Sequence, residues 1–227
     1  MKTPGWLVAI VQLLLTVSVP IILIVSPLYL FFTPAMVRHE YSREDFSAAV
    51  RFDQQERLRL SDDIMGYLRG KGSVDSLRSM HTDEGERALR ESEVQHLVDV
   101  KGVLGGLYLA HSIAVIVGLA AGIALFWLTD RAHVVKGLQT GAWITVGCMA
   151  FVLVSSFVDF GVFFTRFHQV FFEPDTWVFY SEDTLIQLYP LAFWIDVVWK
   201  LGLFILVEAG ILYILLFLAG RVVREGR

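Results

Sequence analysis

The sequence predicts an all-α protein: a four-transmembrane-helix bundle with a small helical extracytoplasmic cap and an aromatic interfacial loop. Of its 227 residues, 55% are hydrophobic, and they are concentrated in four long blocks. A block of this kind is long enough to cross about 30 Å of hydrocarbon as a helix. The formal net charge is only −4, without a long run of like charge, so nucleic acid is not predicted as a partner.

The first block lies in the N-terminal region 1–32 and is interrupted by Pro20 and Pro27. It is longer than the apolar core of a signal peptide. We therefore expect it to remain as transmembrane helix 1, with a kink at its prolines.

The second and third blocks, residues 102–128 and 138–158, contain no Asp, Glu, Lys or Arg and are joined by the loop 129–137. Glycines four residues apart in or beside them favour close helix packing, and an oligomer interface is the alternative use. These pairs are Gly102 and Gly106, Gly118 and Gly122, and Gly137 and Gly141. The single cysteine, Cys148, lies in the third block, which excludes an intrachain disulfide and a cysteine-based zinc site.

The fourth block, residues 191–219, is followed by the tail 220–227 and contains three charged residues, Asp196, Lys200 and Glu208. Asp196 and Lys200 are four apart and can form an ion pair. Glu208 lies deeper, where a carboxyl group is costly and suggests a function. Protonation, or a bond to a neighbouring helix, is the alternative explanation.

Positive charge next to the spans predicts the orientation, because such residues are retained in the cytoplasm. The N-terminus, the loop 129–137 and the tail share one side, and their cations are Lys2, Arg131, Lys136, Arg221, Arg224 and Arg227. The loop 159–190 has a single cation, Arg166. Both termini are therefore expected in the cytoplasm, with the segment 33–101 and the loop 159–190 together on the outer face.

The segment 33–101 has apolar residues at helical spacing, which predicts a small helical cap. Ser42 and Asp45 have the spacing of a capping box and predict the start of its first helix, which includes Val50. Residues 69–76 contain Gly70 and Gly72 and predict a turn. A second helix is expected to start at Thr82 and to continue into the second span. A solvated hairpin that merely links two spans is the alternative.

The loop 159–190 is rich in aromatic residues, which favour the lipid headgroup region. They include Phe163, Phe164, Phe167, Phe171, Phe172, Trp177, Phe179, Tyr180 and Tyr189. They could form an aromatic belt that seats the protein in the membrane, or a lipid-facing site roofed by their rings. Composition does not separate the two.

The predicted topology sorts the six histidines. His39 and His81 are expected on the cap surface and His133 on the cytoplasmic loop, while His111 lies in the second span and can bond across helices. The remaining two, His96 and His168, both belong at the outer interface. They could be a general acid–base pair, metal ligands, or unrelated surface residues.

Metal and covalent mechanisms have weaker support. A hydrolytic zinc site would need a third ligand near the two histidines, and the available carboxylates are Asp99 and Asp159. A haem held by two histidines fits less well, because such ligands come from facing helices inside a bundle. No serine-nucleophile elbow, HExxH motif or phosphate-binding loop is present.

Two motifs give the sequence a family resemblance. "ESEVQHLVDVK" at 91–101 and "VDFGVFFTRFHQVFFEPDTWVFYSED" at 158–183 resemble the bacterial lipoprotein intramolecular transacylases, and their histidines are 72 residues apart. The similarity includes the order of the four spans and an ectodomain helix led by Tyr41. The sequence departs from the family in "YPLAFWID", which lacks an acidic residue after the proline, and in His-Leu-Val-Asp, where a methionine is usual. These departures concern the shape of the pocket more than the histidine pair.

The resemblance implies an enzyme of the bacterial cell membrane with its site on the outer face. Such an enzyme moves the sn-2 acyl chain of a diacylglyceryl-cysteine lipoprotein onto the lipoprotein's own α-amino group and forms an N-acyl lyso-lipoprotein. The family's two catalytic histidines match His96 and His168. The implied partners are the lipoprotein substrate and membrane lipid, and neither cofactor nor metal is required.

Other residues of the two motifs are expected to assist. We expect supporting roles for Asp99, Lys101, Asp159, Arg166 and Asp175. Asp99 or Asp159 is expected to orient one histidine ring, and which histidine is the base is left open. The acyl chains are expected to contact Phe164, Phe167, Phe171, Phe172 and Trp177.

Two functions from other classes compete with acyl transfer. A non-enzymatic membrane partner or chaperone subunit would bind another protein through the cap and would tolerate replacement of the histidines. A small transporter is suggested by Glu208 and His111 within the spans. Four spans without an internal repeat are a poor scaffold for alternating access, however.

Overall fold

A computed structural model of the chain describes residues 4–43, 46, 51–174 and 176–225. In these ranges the chain forms ten α-helices and no β-strand. The predicted all-α class is confirmed. The helices are α1 (Gly5–Val25), α2 (Leu28–Phe31), α3 (Pro34–Tyr41), α4 (Gln54–Leu68), α5 (Val74–Arg78), α6 (Glu91–Leu128), α7 (Arg131–Val158), α8 (Phe160–Phe171), α9 (Thr184–Leu188) and α10 (Leu191–Glu225).

Four helical stretches of the described chain are long and apolar enough to cross a membrane, as predicted. They are Gly5–Phe31, Glu91–Leu128, Arg131–Val158 and Leu191–Leu218. The first consists of α1 and α2, separated at Ser26 and Pro27. The break occurs at Pro27, because proline lacks a backbone N–H and disfavours a helical conformation in the residue before it. Pro20, where a kink was also expected, is accommodated inside α1.

Helix α6 is 38 residues long, about 57 Å at 1.5 Å per residue, and so is much longer than the roughly 30 Å of hydrocarbon. Its charged residues all lie in its first eleven positions: Glu91, Glu93, Asp99 and Lys101. This charged part precedes the apolar residues 102–128 that are predicted to span the membrane. His96 therefore lies on the part of α6 outside the predicted span.

The predicted start of this helix at Thr82 is wrong. The backbone N–H of Gly85 bonds to the Thr82 carbonyl, and Gly85 has a φ of 85°, which a helix does not accommodate. The N–H of Thr82 bonds to the Glu86 carbonyl, which closes a turn. Helix α6 begins only after Arg90, whose N–H is accepted by the Glu93 carboxylate at 2.8 Å, as in a capping box.

The predicted helix start at Ser42 is also wrong. Ser42 is the C-cap of α3, and α3 begins after Thr33, whose hydroxyl accepts the Met36 N–H at 3.2 Å. Helix α4 is capped instead by Asp53, which accepts the Glu56 N–H at 2.8 Å. Asp45 and Val50 lie outside the described residues.

The turn between α4 and α5 is confirmed, but it is shorter than predicted because α5 begins at Val74. Gly70 and Gly72 both have positive φ, 85° and 90°, and so meet the backbone requirement of this turn.

The chain divides into two compact units. The bundle unit comprises Met1–Leu28, Leu107–Val154 and Lys200–Arg227, and the cap unit comprises Tyr29–Gly106 and Ser155–Trp199. The ranges of the cap unit thus include both polar segments identified in the sequence, 33–101 and 159–190.

In the bundle unit, glycines allow α1 to pack closely, as predicted. A Cβ at Gly141 would lie 2.5 Å from the Val19 Cβ and 2.8 Å from the Thr16 carbonyl oxygen. At Gly137 it would lie 3.0 Å from Leu15. Gly118 shows a similar approach, 3.1 Å from the Ser18 Cβ, whereas a Cβ at Gly102 or Gly106 would meet no atom within 4 Å.

The polar residues of the spans have specific surroundings. His111 Nε2 is 3.1 Å from the Ser26 hydroxyl, so the predicted bond across helices is confirmed. Oε2 of Glu208 is buried and has no hydrogen-bond partner among the described residues. In the cap unit, Asp196 forms an ion pair with Arg43.

In the cap unit, hydrogen bonds attach the segment 184–189, which includes α9, to the cap helices. The Tyr41 hydroxyl donates to the Leu188 carbonyl at 2.7 Å, and the Tyr189 hydroxyl is 2.7 Å from that of Ser61. The buried Glu93 carboxylate accepts the Leu185 N–H at 2.8 Å. Glu93 thus accepts one hydrogen bond from a backbone N–H of α9 and one from the backbone N–H at the start of α6. Glu93 itself lies three residues before His96.

Candidate active site

Two helices of the cap unit carry the predicted histidines. His96 lies on α6, in its second turn, and His168 lies on α8. Helix α8 starts where Asp159 accepts the Val162 N–H at 2.9 Å, and it ends at Phe171. Pro174 follows three residues later, where a helix is disfavoured.

The rings of His96 and His168 are close together. Their centroids are 6.1 Å apart and the ring planes are inclined by 22°. Only 9% of His96 and 8% of His168 is exposed. This separation is compatible with proton transfer to and from a group bound between or beside the rings.

A backbone carbonyl orients the ring of His168. Nδ1 of His168 is 2.7 Å from the Phe164 carbonyl oxygen, one turn earlier on α8. Because a carbonyl only accepts hydrogen bonds, Nδ1 carries the proton and donates it. In the neutral ring, Nε2 is then the nitrogen with a free lone pair.

Aromatic rings surround both histidines. The centroid of His168 is 4.0 Å from that of Phe164, 4.8 Å from that of Trp177 and 5.4 Å from that of Phe172. His96 has Phe172 at 4.9 Å and Phe179 at 5.4 Å. Water has little access to the pair, which strengthens electrostatic interactions within the site.

Burial keeps both histidines neutral at pH 7. It lowers the pKa of His96 to about 4, with a further contribution from His168 and an opposing one from the Asp99 carboxylate. Burial also lowers the pKa of His168, and its hydrogen bond to Phe164 opposes that effect. Each ring is therefore ready to accept a proton, and its conjugate acid readily returns it.

Two buried nitrogens in this cluster have no hydrogen-bond partner among the described residues, namely Nδ1 of His96 and Nε1 of Trp177. Native structures leave few buried polar groups in this state. Both atoms are therefore available to a bound substrate.

The predicted supporting residues have other contacts. Asp99 accepts the Gln95 amide at 3.0 Å, and the Lys101 ammonium lies 4.0 Å from the centroid of the Tyr67 ring. Arg166 is exposed and donates to Gln169 at 3.1 Å. Asp175 lies outside the described residues.

The prediction that Asp159 orients a histidine ring is not supported. Asp159 is exposed and caps α8, and the group that orients His168 is the carbonyl of Phe164. A carboxylate at the start of the helix was a plausible candidate in the sequence, but it satisfies the local N–H groups that a helix start leaves unpaired.

The predicted acyl-contact residues differ in exposure. The ring of His168 is contacted by Phe164, Phe167, Phe172 and Trp177. Phe167 is 45% exposed and Phe171 is 42% exposed, and their rings pack on each other with centroids 4.8 Å apart. These two form an apolar face of α8.

Sequence reasoning missed two residues. Phe179 was seen only as part of the aromatic loop, yet it contacts His96. Glu93 was not singled out, although its position three residues after Arg90 is that of the acidic residue in a capping box. Within the described ranges, no three His, Cys, Asp or Glu side chains are grouped to hold a metal ion.

Comparison with known proteins gives consistent relatives. The model of the family described as "Lipoprotein intramolecular transacylase Lit" matches residues 9–194. A curated protein of Aquifex aeolicus (strain VF5), described as uncharacterized, is 27% identical over 189 residues, which are 82% of this chain and 84% of that protein.

Solved structures show the same fold. The in meso structure of the membrane integral lipoprotein intramolecular transacylase Lit from Bacillus cereus is similar with a TM-score of 0.79 and 21% identity, over 96% of this chain and 100% of that one. A variant of that protein with one histidine replaced by arginine gives a TM-score of 0.72 and 19% identity, over 98% and 96%.

Proposed function

Since the chain belongs to the lipoprotein intramolecular transacylase family, we propose that it is a membrane acyltransferase in which His96 and His168 provide acid–base catalysis. The reaction moves the sn-2 acyl chain of a diacylglyceryl-cysteine lipoprotein onto that lipoprotein's own α-amino group. The product is an N-acyl lyso-form lipoprotein. The proposed partners are therefore the lipoprotein and the surrounding membrane lipid.

One observation carries the histidine mechanism: two residues 72 positions apart meet as a buried pair with ring centroids 6.1 Å apart. Two unrelated surface histidines would be exposed and would have no reason to share an aromatic enclosure. Burial of a titratable pair at this distance has a chemical use, because proton transfer requires such proximity.

The reaction exchanges one bond to the acyl carbon for another. The α-amine nitrogen attacks the carbonyl carbon of the sn-2 ester and a tetrahedral intermediate forms. When the intermediate collapses, the bond to the glyceryl oxygen breaks and an amide remains. The amine loses one proton and the glyceryl oxygen gains one, so no water or external acyl donor is consumed.

His168 is the proposed proton acceptor. Its Nδ1–H donates to the Phe164 carbonyl, which leaves Nε2 to take the proton of the attacking amine. The α-ammonium group has a pKa of about 7.7–8.0, so an appreciable share of the substrate is already the neutral amine at neutral pH. His168 then takes the single proton that this nitrogen loses as the amide forms. A histidinium formed in a buried site is a good acid and can return the proton to the glyceryl oxygen, directly or through His96.

Positioning makes a large contribution in this mechanism. The amine and the ester belong to one substrate molecule, and holding them together in an attack geometry saves the entropy of bringing them together. Phe167 and Phe171 form the exposed apolar face of α8 and suit the acyl chains of the substrate.

The proposed location of the site is the outer face of the bacterial cell membrane, with both termini in the cytoplasm. The distribution of Lys and Arg between the two short loops supports this orientation. It would give His96 and His168 access to the lipid-modified amino terminus of a lipoprotein anchored in the outer leaflet.

The test compares lipoproteins from cells that express the wild type, His96→Ala, His168→Ala or His39→Ala. Product and substrate are isomers of equal mass, so the readout is tandem mass spectrometry that places the acyl chain on nitrogen or on glycerol. Acid–base catalysis contributes about 10²–10⁴-fold, so both site variants should lose at least about 100-fold in N-acyl product. His39 is exposed on α3, and its variant should behave as the wild type.

N-acyl product at the wild-type level in both site variants would overturn the mechanism. It would also favour the competing function, a non-enzymatic partner, if changes on the cap surface then abolished the phenotype. Equal membrane levels of all variants, measured by immunoblot, exclude loss of folding as the cause.

A further inference from the structure

The indole of Trp177 presents a donor that nothing in the described chain satisfies. Its Nε1 is buried and has no hydrogen-bond partner among the described residues. An indole nitrogen can only donate a hydrogen bond. Burying such a group without an acceptor costs free energy, so an acceptor that arrives with the substrate would explain its position.

This N–H belongs to the histidine cluster. The Trp177 ring lies 4.8 Å from the ring of His168, centroid to centroid, with the planes inclined by 36°. His168 in turn lies 6.1 Å from His96. An acceptor that binds next to the pair is therefore within a few ångströms of the indole ring.

Two other nearby N–H groups already have acceptors, and Nδ1 of His96, which also lacks a partner, belongs to a ring proposed to exchange protons rather than to hold one permanently. Nδ1 of His168 donates to the Phe164 carbonyl at 2.7 Å. The backbone N–H of Phe172 donates to the His168 carbonyl at 2.8 Å. Among the described residues of the cluster, the indole N–H of Trp177 is the permanent side-chain donor that has no acceptor.

Acyl transfer requires such a donor. As the amine attacks, the carbonyl π electrons move onto the ester oxygen, which becomes negatively charged. A fixed donor aimed at that oxygen in a site that excludes water stabilises the transition state more than the ester ground state. The two histidines exchange protons with the amine and the glyceryl oxygen, and this leaves the carbonyl oxygen without a partner.

We propose that Trp177 is a further catalytic residue, whose indole N–H donates a hydrogen bond to the carbonyl oxygen of the sn-2 ester as that oxygen becomes an oxyanion. The proposal rests on the proposed function. In the attack step the N–C bond forms and the negative charge on oxygen is held by the indole. In the collapse step an electron pair of the oxyanion re-forms the C=O bond, the C–O bond to glycerol breaks, and the glyceryl oxygen takes the proton that a histidine received from the amine.

Packing against the acyl chains is the other role that an aromatic ring could have here. A ring that only packs needs its shape and apolar surface but not its N–H. The two roles therefore separate when the N–H alone is removed.

The experiment replaces Trp177 by 3-benzothienylalanine, an isostere with sulfur in place of the N–H, introduced at that codon of the full-length chain. Trp177→Phe also removes the N–H, and it reduces the ring. The same isostere at Trp199, whose ring packs on Phe157 at 6.2 Å, is the matched control. Purified proteins are assayed in lipid vesicles with a synthetic diacylglyceryl-cysteine peptide, and kcat and KM are measured separately.

Removal of one oxyanion donor lowers kcat by about 10²–10³-fold in other acyl-transfer enzymes. The Trp177 isostere is expected to lose about 100-fold in kcat with KM changed less than about threefold, Trp177→Phe at least as much, and the Trp199 isostere nothing. A Trp177 isostere with kcat within about threefold of the wild type overturns the oxyanion role and leaves acyl transfer standing. A wild type that forms no N-acyl peptide overturns the proposed function and this role together.

Discussion

The packing of α1 against α7 makes Gly141 a sensitive position. Gly141 lies inside a helix, where alanine is favoured over glycine. If the position were open, Gly141→Ala would therefore stabilise the folded protein by about 1 kcal/mol. The structure leaves no room for the methyl group, because the Val19 Cβ would be 2.5 Å away and the Thr16 carbonyl oxygen 2.8 Å away. One obstacle is backbone and the other is a branched side chain close to its own backbone, so neither moves easily.

Gly147 provides the matched control on the same helix. It is exposed, and a Cβ there would meet no atom within 4 Å. Overpacking costs about 1–3 kcal/mol, whereas the control should gain up to about 1 kcal/mol. Because the gain in helix propensity is common to both, we expect Gly141→Ala to be less stable than Gly147→Ala by about 1–3 kcal/mol.

The assay is thermal unfolding of the two purified variants in one detergent, followed by tryptophan fluorescence. At about 2–4 °C per kcal/mol, the difference corresponds to roughly 2–12 °C in Tm. Reversibility has to be checked by rescanning, since an irreversible transition reports a rate. If Gly141→Ala unfolds within about 2 °C of Gly147→Ala, the close contact with α1 is refuted.

Two further predictions concern charge and sidedness. The pKa of His96 is about 4 in the folded protein, and that of a histidine in an unfolded chain is about 6.5. Between these pH values the unfolded chain binds a proton at residue 96 and the folded protein does not. The free energy of unfolding therefore falls as the pH drops from about 6.5 towards 4. Between pH 7 and pH 5 His96 contributes a loss of about 2 kcal/mol, so His96→Phe should lose about 2 kcal/mol less than the wild type, while His168 contributes in both proteins. Equal losses in thermal unfolding of both proteins would contradict this. The sidedness is tested with a membrane-impermeant maleimide in a Cys148→Ser background. Ser181→Cys, in the loop proposed to be outside, should be labelled in spheroplasts, whereas Ala132→Cys, in the loop proposed to be cytoplasmic, should be labelled only after permeabilisation. The reverse pattern would invert the proposed topology.

The helical spans were predictable because the signal for them is continuous. A run of apolar residues is visible without any knowledge of distant contacts, and the break at Pro27 follows from the chemistry of one residue. Close helix packing at Gly137 and Gly141 was predictable, because small residues allow another helix to approach. That the approaching helix is α1 was not predictable, because a glycine does not specify its partner.

Helix boundaries in the cap were less predictable. Ser42 has the residue type of an N-cap and is a C-cap, and the actual caps are Thr33 and Asp53. The start of α6 depends on the positive φ of Gly85 and on the bond from Arg90 to Glu93. Several Ser, Thr and Asp residues could cap helices here, and contacts with distant segments select among them.

The histidine pair was predictable only through the family resemblance. Periodicity places His96 on a helix and leaves His168 in the aromatic loop 159–190, where the structure has α8. It contains no information about the distance between residues 72 positions apart. The carbonyl that orients His168 was invisible for a different reason. Every residue has a backbone carbonyl, so a backbone acceptor has no signature in the sequence. The sequence therefore predicts a side chain such as that of Asp159 as the group that orients the ring, whereas the structure has the Phe164 carbonyl in that role.

The burial of the two histidines has a consequence for the fate of the acyl group. Any site that activates an ester towards an amine can also activate it towards water, and hydrolysis would release a free fatty acid and waste a lipoprotein. His96 and His168 are only 9% and 8% exposed, and the rings of Phe172, Phe179 and Trp177 enclose them. Water is therefore largely excluded from the site, whereas the α-amine belongs to the same substrate molecule as the ester and is always close to it. In the proposed mechanism, the aromatic enclosure therefore sets the ratio of acyl transfer to hydrolysis, while the histidines set the rate.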